Sequence, residues 1–136
     1  MGRFNLLLLA VLISITSIYS QNTSSDGVYD YLQIGHVPVM VDSGKPCYPD
    51  SAFKKRVDGV VLVDIIIDEA GKVISAEVSE SLPEDIFDAV ALDAAFECTF
   101  EPMAFDGHPI KVKYRIPFLF GRGQYNLKRC SKVKKD

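Results

Sequence analysis

From Val60 to Asp68 almost every residue is apolar. Val61, Val63, Ile65 and Ile67 share one face of an extended chain, and Val60, Leu62 and Ile66 share the other, broken by Asp64 and Asp68. Apolar residues on both faces predict a strand in the middle of a sheet. Asp68-Glu69-Ala70-Gly71 then reads as a hairpin loop, with Gly71 free to take positive φ. Lys72 to Ser79 alternates, placing Ile74, Ala76 and Val78 inward and Ser75, Glu77 and Ser79 outward, the pattern of a strand with one wet face. A third strand follows near the end, where Ile110, Val112, Tyr114, Ile116 and Phe118 alternate with Lys111, Lys113, Arg115 and Pro117. Pro117 argues for an edge position.

Two stretches carry the longer period of helices. Ser81-Leu82-Pro83-Glu84 has the form of a capping box with Pro in the first turn. It predicts a helix to about Cys98, with Phe87, Val90, Ala91, Ala94, Ala95 and Cys98 recurring at threes and fours. Tyr48 to Val57 predicts a shorter helix, with Pro49 in its first turn, Ala52, Phe53 and Val57 as its apolar side, and Gly59 ending it.

The order is short helix, strand, strand, helix, strand. This predicts an α+β fold: a small three-stranded antiparallel or mixed sheet in the order second, first, third, with both helices on one face. The second and third strands are then parallel, joined by a right-handed crossover. The third strand is left as an open edge. Residues 21–45 form a lead-in with at most a short strand. Val28, Tyr29, Tyr31, Leu32 and Ile34 are free to pack, and Pro38 keeps Val37–Val41 out of a central strand.

Length fits one domain: 136 residues, 48% hydrophobic, within the usual domain size of roughly 100–150 residues. The net charge of −3 hides three unequal parts. Arg3 is the only charge in residues 1–20; residues 21–120 hold 8 Lys/Arg against 17 Asp/Glu; residues 121–136 hold 6 Lys/Arg and one Asp. An acidic body with a short basic tail does not suggest nucleic acid binding. The tail, with Lys128, Arg129, Lys132, Lys134 and Lys135, reads as a solvated end or as a site of attraction to an anionic surface or acidic partner.

Arg3, the apolar or hydroxyl run Leu6–Tyr19 and the small Ser20 describe a secretory signal peptide, with cleavage expected after Ser20. The alternative is a retained membrane anchor, although the run is short of the roughly 20 apolar residues that a spanning helix needs. Export leads to an oxidising compartment. Cys47, Cys98 and Cys130 allow at most one internal pair. Cys47 with Cys98 is one pairing, Cys130 can instead partner either, and any of them can be a buried apolar residue.

Catalytic readings find no support. His36 and His108 have no recognisable Ser or Cys partner, no cysteine has metal-ligand spacing, and Gly121-Arg122-Gly123 opens no evident helix. No cofactor is expected.

Four pieces together resemble a known family, the C-terminal domain of TonB, the periplasmic energy transducer of bacterial outer-membrane uptake. They are Pro46-Cys47-Tyr48-Pro49 with Ala52; Gly59–Val63 with Ile67–Val73; Ala91–Ala94 through Phe100-Glu101-Pro102; and Gly107–Ile110 through Tyr114–Phe118. The resemblance spans residues 46–120. Cys98 stands where many members carry Trp. The Pro-rich spacer and the His-bearing membrane helix of the family's transducers find no counterpart in residues 1–45, so the resemblance is to the domain without its machinery.

The resemblance implies a partner: an extended peptide from the plug of an outer-membrane TonB-dependent receptor. Strand addition to an open edge is the physical means. The segment expected to bind is Ile110–Phe118, with Lys111, Val112, Lys113, Tyr114 and Arg115 at its centre. By family position Lys45, Pro46 and Tyr48 flank the peptide. The three edge cations select acidic neighbours or merely keep the edge soluble. An inner-membrane proton-driven motor is a further partner if the apolar N-terminal segment is retained. The alternative function is a stand-alone envelope assembly module that forms a homodimer through the same edge.

Overall fold

The computed structural model describes residues 27–121 and 129–130. The expectations placed on residues 1–20 and on Lys128, Lys132, Lys134 and Lys135 lie outside the described residues. In chain order the elements are β1 (Val28–Asp30), α1 (Tyr31–Ile34), β2 (Met40–Asp42), β3 (Tyr48–Pro49), α2 (Asp50–Lys55), β4 (Gly59–Ile67) and β5 (Val73–Leu82). They continue with α3 (Asp88–Glu97), β6 (Thr99–Phe100), β7 (Ala104–Phe105), β8 (His108–Pro109), β9 (Lys111–Phe120) and β10 (Arg129–Cys130).

The architecture is α+β, built on a mixed sheet of four strands rather than three, in the order β1-β9-β4-β5. β4 is antiparallel to both β5 and β9, so those two run parallel to each other. The added strand, β1, runs parallel to β9. Among the described residues three two-stranded ladders accompany this sheet: β2 with β6, β3 with β10, and β7 with β8. The last is a hairpin whose two turn residues, Asp106 and Gly107, both have positive φ. That is the demand of the tight hairpin turns that favour Asp-Gly.

One face of the sheet is covered. Val61, Val63, Ile65 and Ile67 of β4 are buried there against Val90, Ala91, Ala94 and Ala95 of α3. The alanines let the helix approach the sheet closely, and Ala52 of α2 joins the same cluster. Phe87 and Phe120 stack at 4.3 Å between centroids, and Tyr48 meets both rings edge-on. Each fully buried side chain of this size contributes about 1.5–3 kcal/mol of hydrophobic stabilisation.

The predicted helix over Ser81–Cys98 begins later than its apparent capping box suggests. Ser81 and Leu82 remain on β5, opposite Val61 and Val60. A residue before proline is pushed out of the helical region, which keeps Leu82 extended on the ladder. The chain then turns through a cis Leu82-Pro83 bond, and α3 starts only at Asp88. All six of its predicted apolar positions, Phe87 to Cys98, are nevertheless buried.

Two further details differ. Ile74 was expected inward but is exposed, because the β4–β5 register shifts between Ile66 and Ile67 and leaves Ile74 in a bulge. The short helix stops at Arg56, which takes the left-handed conformation, rather than at Gly59. Gly59 instead opens β4, where a Cβ would lie 2.6 Å from the Phe87 ring.

Candidate functional site

The strand predicted to bind a partner, β9, has two backbone sides. One is fully paired with β4, from Gly59 opposite Phe120 to Ile67 opposite Val112. The other was expected to be open along its length, and it is not. Val28, Tyr29 and Asp30 lie opposite Lys111, Val112 and Lys113 in parallel register. Among the described residues, Tyr114–Phe120 is the stretch of that side without a neighbouring strand. Pro117 falls within this free stretch. A proline in an otherwise continuous ladder fits where its missing N–H points away from the partner strand.

Local chemistry explains why β1 sits where it does. Asp30 ends the strand by capping α1: its Oδ1 accepts from the Leu32 amide at 2.9 Å, and Gln33 Oε1 accepts from the Asp30 amide at 3.3 Å. Gly35, with φ 67°, closes the single turn. Ile34 is thereby set against Ile110 and Val112 in a second, smaller core, with Tyr29, Tyr31 and Met103 packed around it. Tyr31 meets Tyr114 edge-on at 5.1 Å, and Tyr29 lies 5.9 Å from Phe105.

The expected side chains divide into two sets. Val112 is buried and Tyr114 half-buried, so what they offer a partner is backbone. Lys113 and Arg115 are exposed but already engaged. Arg115 donates to both oxygens of Asp64, directly across the ladder, at 2.5 Å from Nε and 3.1 Å from its terminal nitrogen. Lys113 Nζ lies 3.8 Å from the same carboxylate. The hydrogen bonds from Arg115 hold the Asp64 carboxyl below its ordinary pKa, against a smaller opposing effect of burial. Among the described residues Lys111 has no acidic partner within ion-pair distance. Asp64, which in the sequence only interrupts an apolar face, is thus the residue that holds two of the three β9 cations.

Tyr48 lies in the main core. It is 2% exposed, its hydroxyl donates to the Val57 carbonyl, and its ring packs on Phe53, Phe87 and Phe120. An aromatic ring at this position fills the core at the Phe120 end of β9. Lys45 is exposed and Pro46 half-buried, and β3 just after them pairs with β10 rather than with β9.

The disulfide joins Cys47 to Cys130, not Cys47 to Cys98. The parallel pairing of Arg129-Cys130 with Tyr48-Pro49 brings the two Cα atoms to 5.4 Å. The same pairing sets the Arg129 guanidinium 4.7 Å from the centre of the Phe53 ring. Cys98 is free and buried; its Sγ accepts from the Gly44 amide at 3.2 Å and donates to the Ala94 carbonyl at 3.3 Å. Burial pushes its thiol pKa up.

Among the described residues the outer side of β5 has no neighbouring strand either. It is bulged at Ile74 and Ser79, and bulges are a common defence of an exposed edge. Next to it lies a cleft of about 640 Å³ lined by Val60, Leu62 and Leu82 together with Glu80, Glu84 and Asp85.

A family model for the C-terminal part of Gram-negative bacterial TonB protein matches residues 44–121. The chain belongs to this TonB C-terminal family. It is 30% identical over 90 residues to Protein TonB of Vibrio cholerae serotype O1, covering 61% of this chain and 37% of that protein. It is 31% identical over 75 residues to Protein TonB of Xanthomonas campestris pv. campestris, covering 55% of this chain and 34% of that protein. The chain therefore spans about a third of the length of these curated relatives. The TonB CTD of Pseudomonas aeruginosa, solved by solution NMR, aligns with a TM-score of 0.48 and 26% identity over 66% of this chain and 89% of that one. The family match takes in α2, β4, β5, α3 and β9, while β1 and α1 lie before it.

Proposed function

We propose that this chain is a periplasmic TonB-like binding domain that adds an extended peptide of an outer-membrane receptor to the edge of β9, in the service of energy-dependent transport. The observation that carries this reading is the backbone side of Tyr114–Phe120 that has no neighbouring strand among the described residues, while its other side is paired with β4. Membership of the TonB C-terminal family supports the choice of partner. Backbone hydrogen bonds would supply affinity, and side chains alternating along the peptide would supply selectivity. On this reading the chain is exported, with residues 1–20 removed.

The backbone character of the contact can be tested with a synthetic plug peptide N-methylated at one residue at a time. Only every second amide of an added strand faces β9. Affinity should therefore drop at alternate positions, by about tenfold for each lost hydrogen bond of roughly 1.4 kcal/mol. Uniform losses, or none, would sink the proposal of strand addition.

A further inference from the structure

We propose that Val28–Ile34 is an internal occupant of the ligand edge, and that an external strand binds across Lys111–Lys113 by exchanging with it. This rests on the reading of β9 as the ligand edge. The motivating fact is positional: β1 takes up backbone groups on the strand predicted to receive a peptide, in regular register, and supplies them from the same chain.

Three observations make the occupant separable. First, Ile34, Ile110 and Val112 form a cluster of their own, distinct from the main core around β4 and α3. Removing Val28–Ile34 uncovers Ile110 and Val112 but leaves Val61, Val63, Ile65 and Ile67 packed. Secondly, β1 is three residues long and all three are half-buried. A pairing this short sits at the weak end of strand stability, and segments with few buried contacts open at low free energy. Thirdly, β1 and α1 precede the residues that match the family, so the matched elements do not include them.

The occupant also indicates what can replace it. Val28 faces Lys111, Tyr29 faces Val112, and Asp30 faces Lys113. An incoming strand must cover the apolar Ile110 and Val112 that the exchange exposes, and it meets one cation on either side of Val112, Lys111 and Lys113. The partner that fits is an extended segment with a large apolar or aromatic residue opposite Val112 and a carboxylate opposite Lys113. A tethered occupant competes at an effective concentration on the order of millimolar. An untethered strand is therefore weakened until the tether is released.

The experiment uses the full chain, its Tyr29→Pro variant and a synthetic receptor-plug peptide. Proline removes an N–H from β1 without touching the main core. Ile34→Ser, which removes the apolar anchor instead, serves as the second variant. Without peptide, both variants should exchange the Lys111–Lys113 amides faster while the Val61–Ile67 amides keep their protection. With peptide, both should bind at least tenfold tighter than the unaltered chain. In the unaltered chain, saturating peptide should strip protection from Val28–Ile34. Equal affinities, with Val28–Ile34 still protected and shifts confined to Tyr114–Phe120, overturn the exchange but leave the edge reading standing. Absence of any β9 shift in all three chains overturns both. Loss of protection throughout β4 in both variants overturns the claim that the occupant is separable.

Discussion

Arg115 and Asp64 lie directly opposite each other on β9 and β4, and the guanidinium holds both oxygens of the carboxylate. The pair links β9 to the central strand β4 and leaves Lys111 as the β9 cation without an acidic partner among the described residues.

The pair sets a pH dependence. The Asp64 pKa is lowered in the folded state, first by the hydrogen bonds from Arg115. A depressed carboxylate stabilises the fold fully above its unfolded pKa, near 4 for an aspartate. That contribution is lost as pH falls through the lower, folded value. Chemical denaturation should therefore find Asp64→Asn less stable than the unaltered chain at pH 7, with the gap closing below about pH 4. A gap that stays constant down to pH 2 would mean that Asp64 does not carry the effect.

Lys111 should act chiefly on association with acidic peptides. Lys111→Gln is expected to slow association by a factor of about two to five, the scale of a single charge near the surface. The difference should shrink at high salt. Stopped-flow binding at two ionic strengths reads this directly, and a salt-independent loss would point to a packing role instead.

The cysteines make a chemical prediction. In the native protein no thiol should react with an aromatic disulfide reagent, because Cys47 and Cys130 are bonded and Cys98 is buried with a raised pKa. Denaturant without reductant should release one reactive thiol. Cys47→Ser should lower unfolding stability by about 2–5 kcal/mol. Peptide mapping that joined Cys98 to either partner would contradict the assignment.

Much of this architecture is written in period. Val61, Val63, Ile65 and Ile67 alternate, and Phe87 to Cys98 recur at helical spacing, so both faces of the core can be read in advance. Two similar four-residue signatures behave oppositely. Ser81-Leu82-Pro83-Glu84 looks like a capping box, yet its proline holds Leu82 extended on β5. Asp30-Tyr31-Leu32-Gln33 is a capping box, and it turns β1 into α1. The strand before it is too short for alternation to show, which is why the occupied part of the edge is invisible in the sequence. The pairing of Cys47 with Cys130 depends on β3 meeting β10 across 83 residues, which spacing alone does not encode.

The aromatic stack should dominate core stability. Phe87→Ala removes the ring stacked on Phe120 and should cost about 3–5 kcal/mol. Gly59→Ala pushes a methyl group into that same ring and into the Leu82 carbonyl, at 2.6 and 2.8 Å, and should cost about 1–3 kcal/mol. Urea denaturation midpoints of the two variants and of the double variant check this. In the Phe87→Ala background Gly59→Ala should cost less, because the ring it strikes is gone. Full additivity would show that the clash lies elsewhere.

Backbone NMR titration of the full chain with a receptor-plug peptide shows whether β9 receives a partner strand along Tyr114–Phe120. Amides of Tyr114–Phe120 should shift and gain exchange protection first, while those of α3 on the covered face hold still. Saturable binding whose shifts fall instead on the outer side of β5, with β9 unmoved, would rule out strand addition at β9.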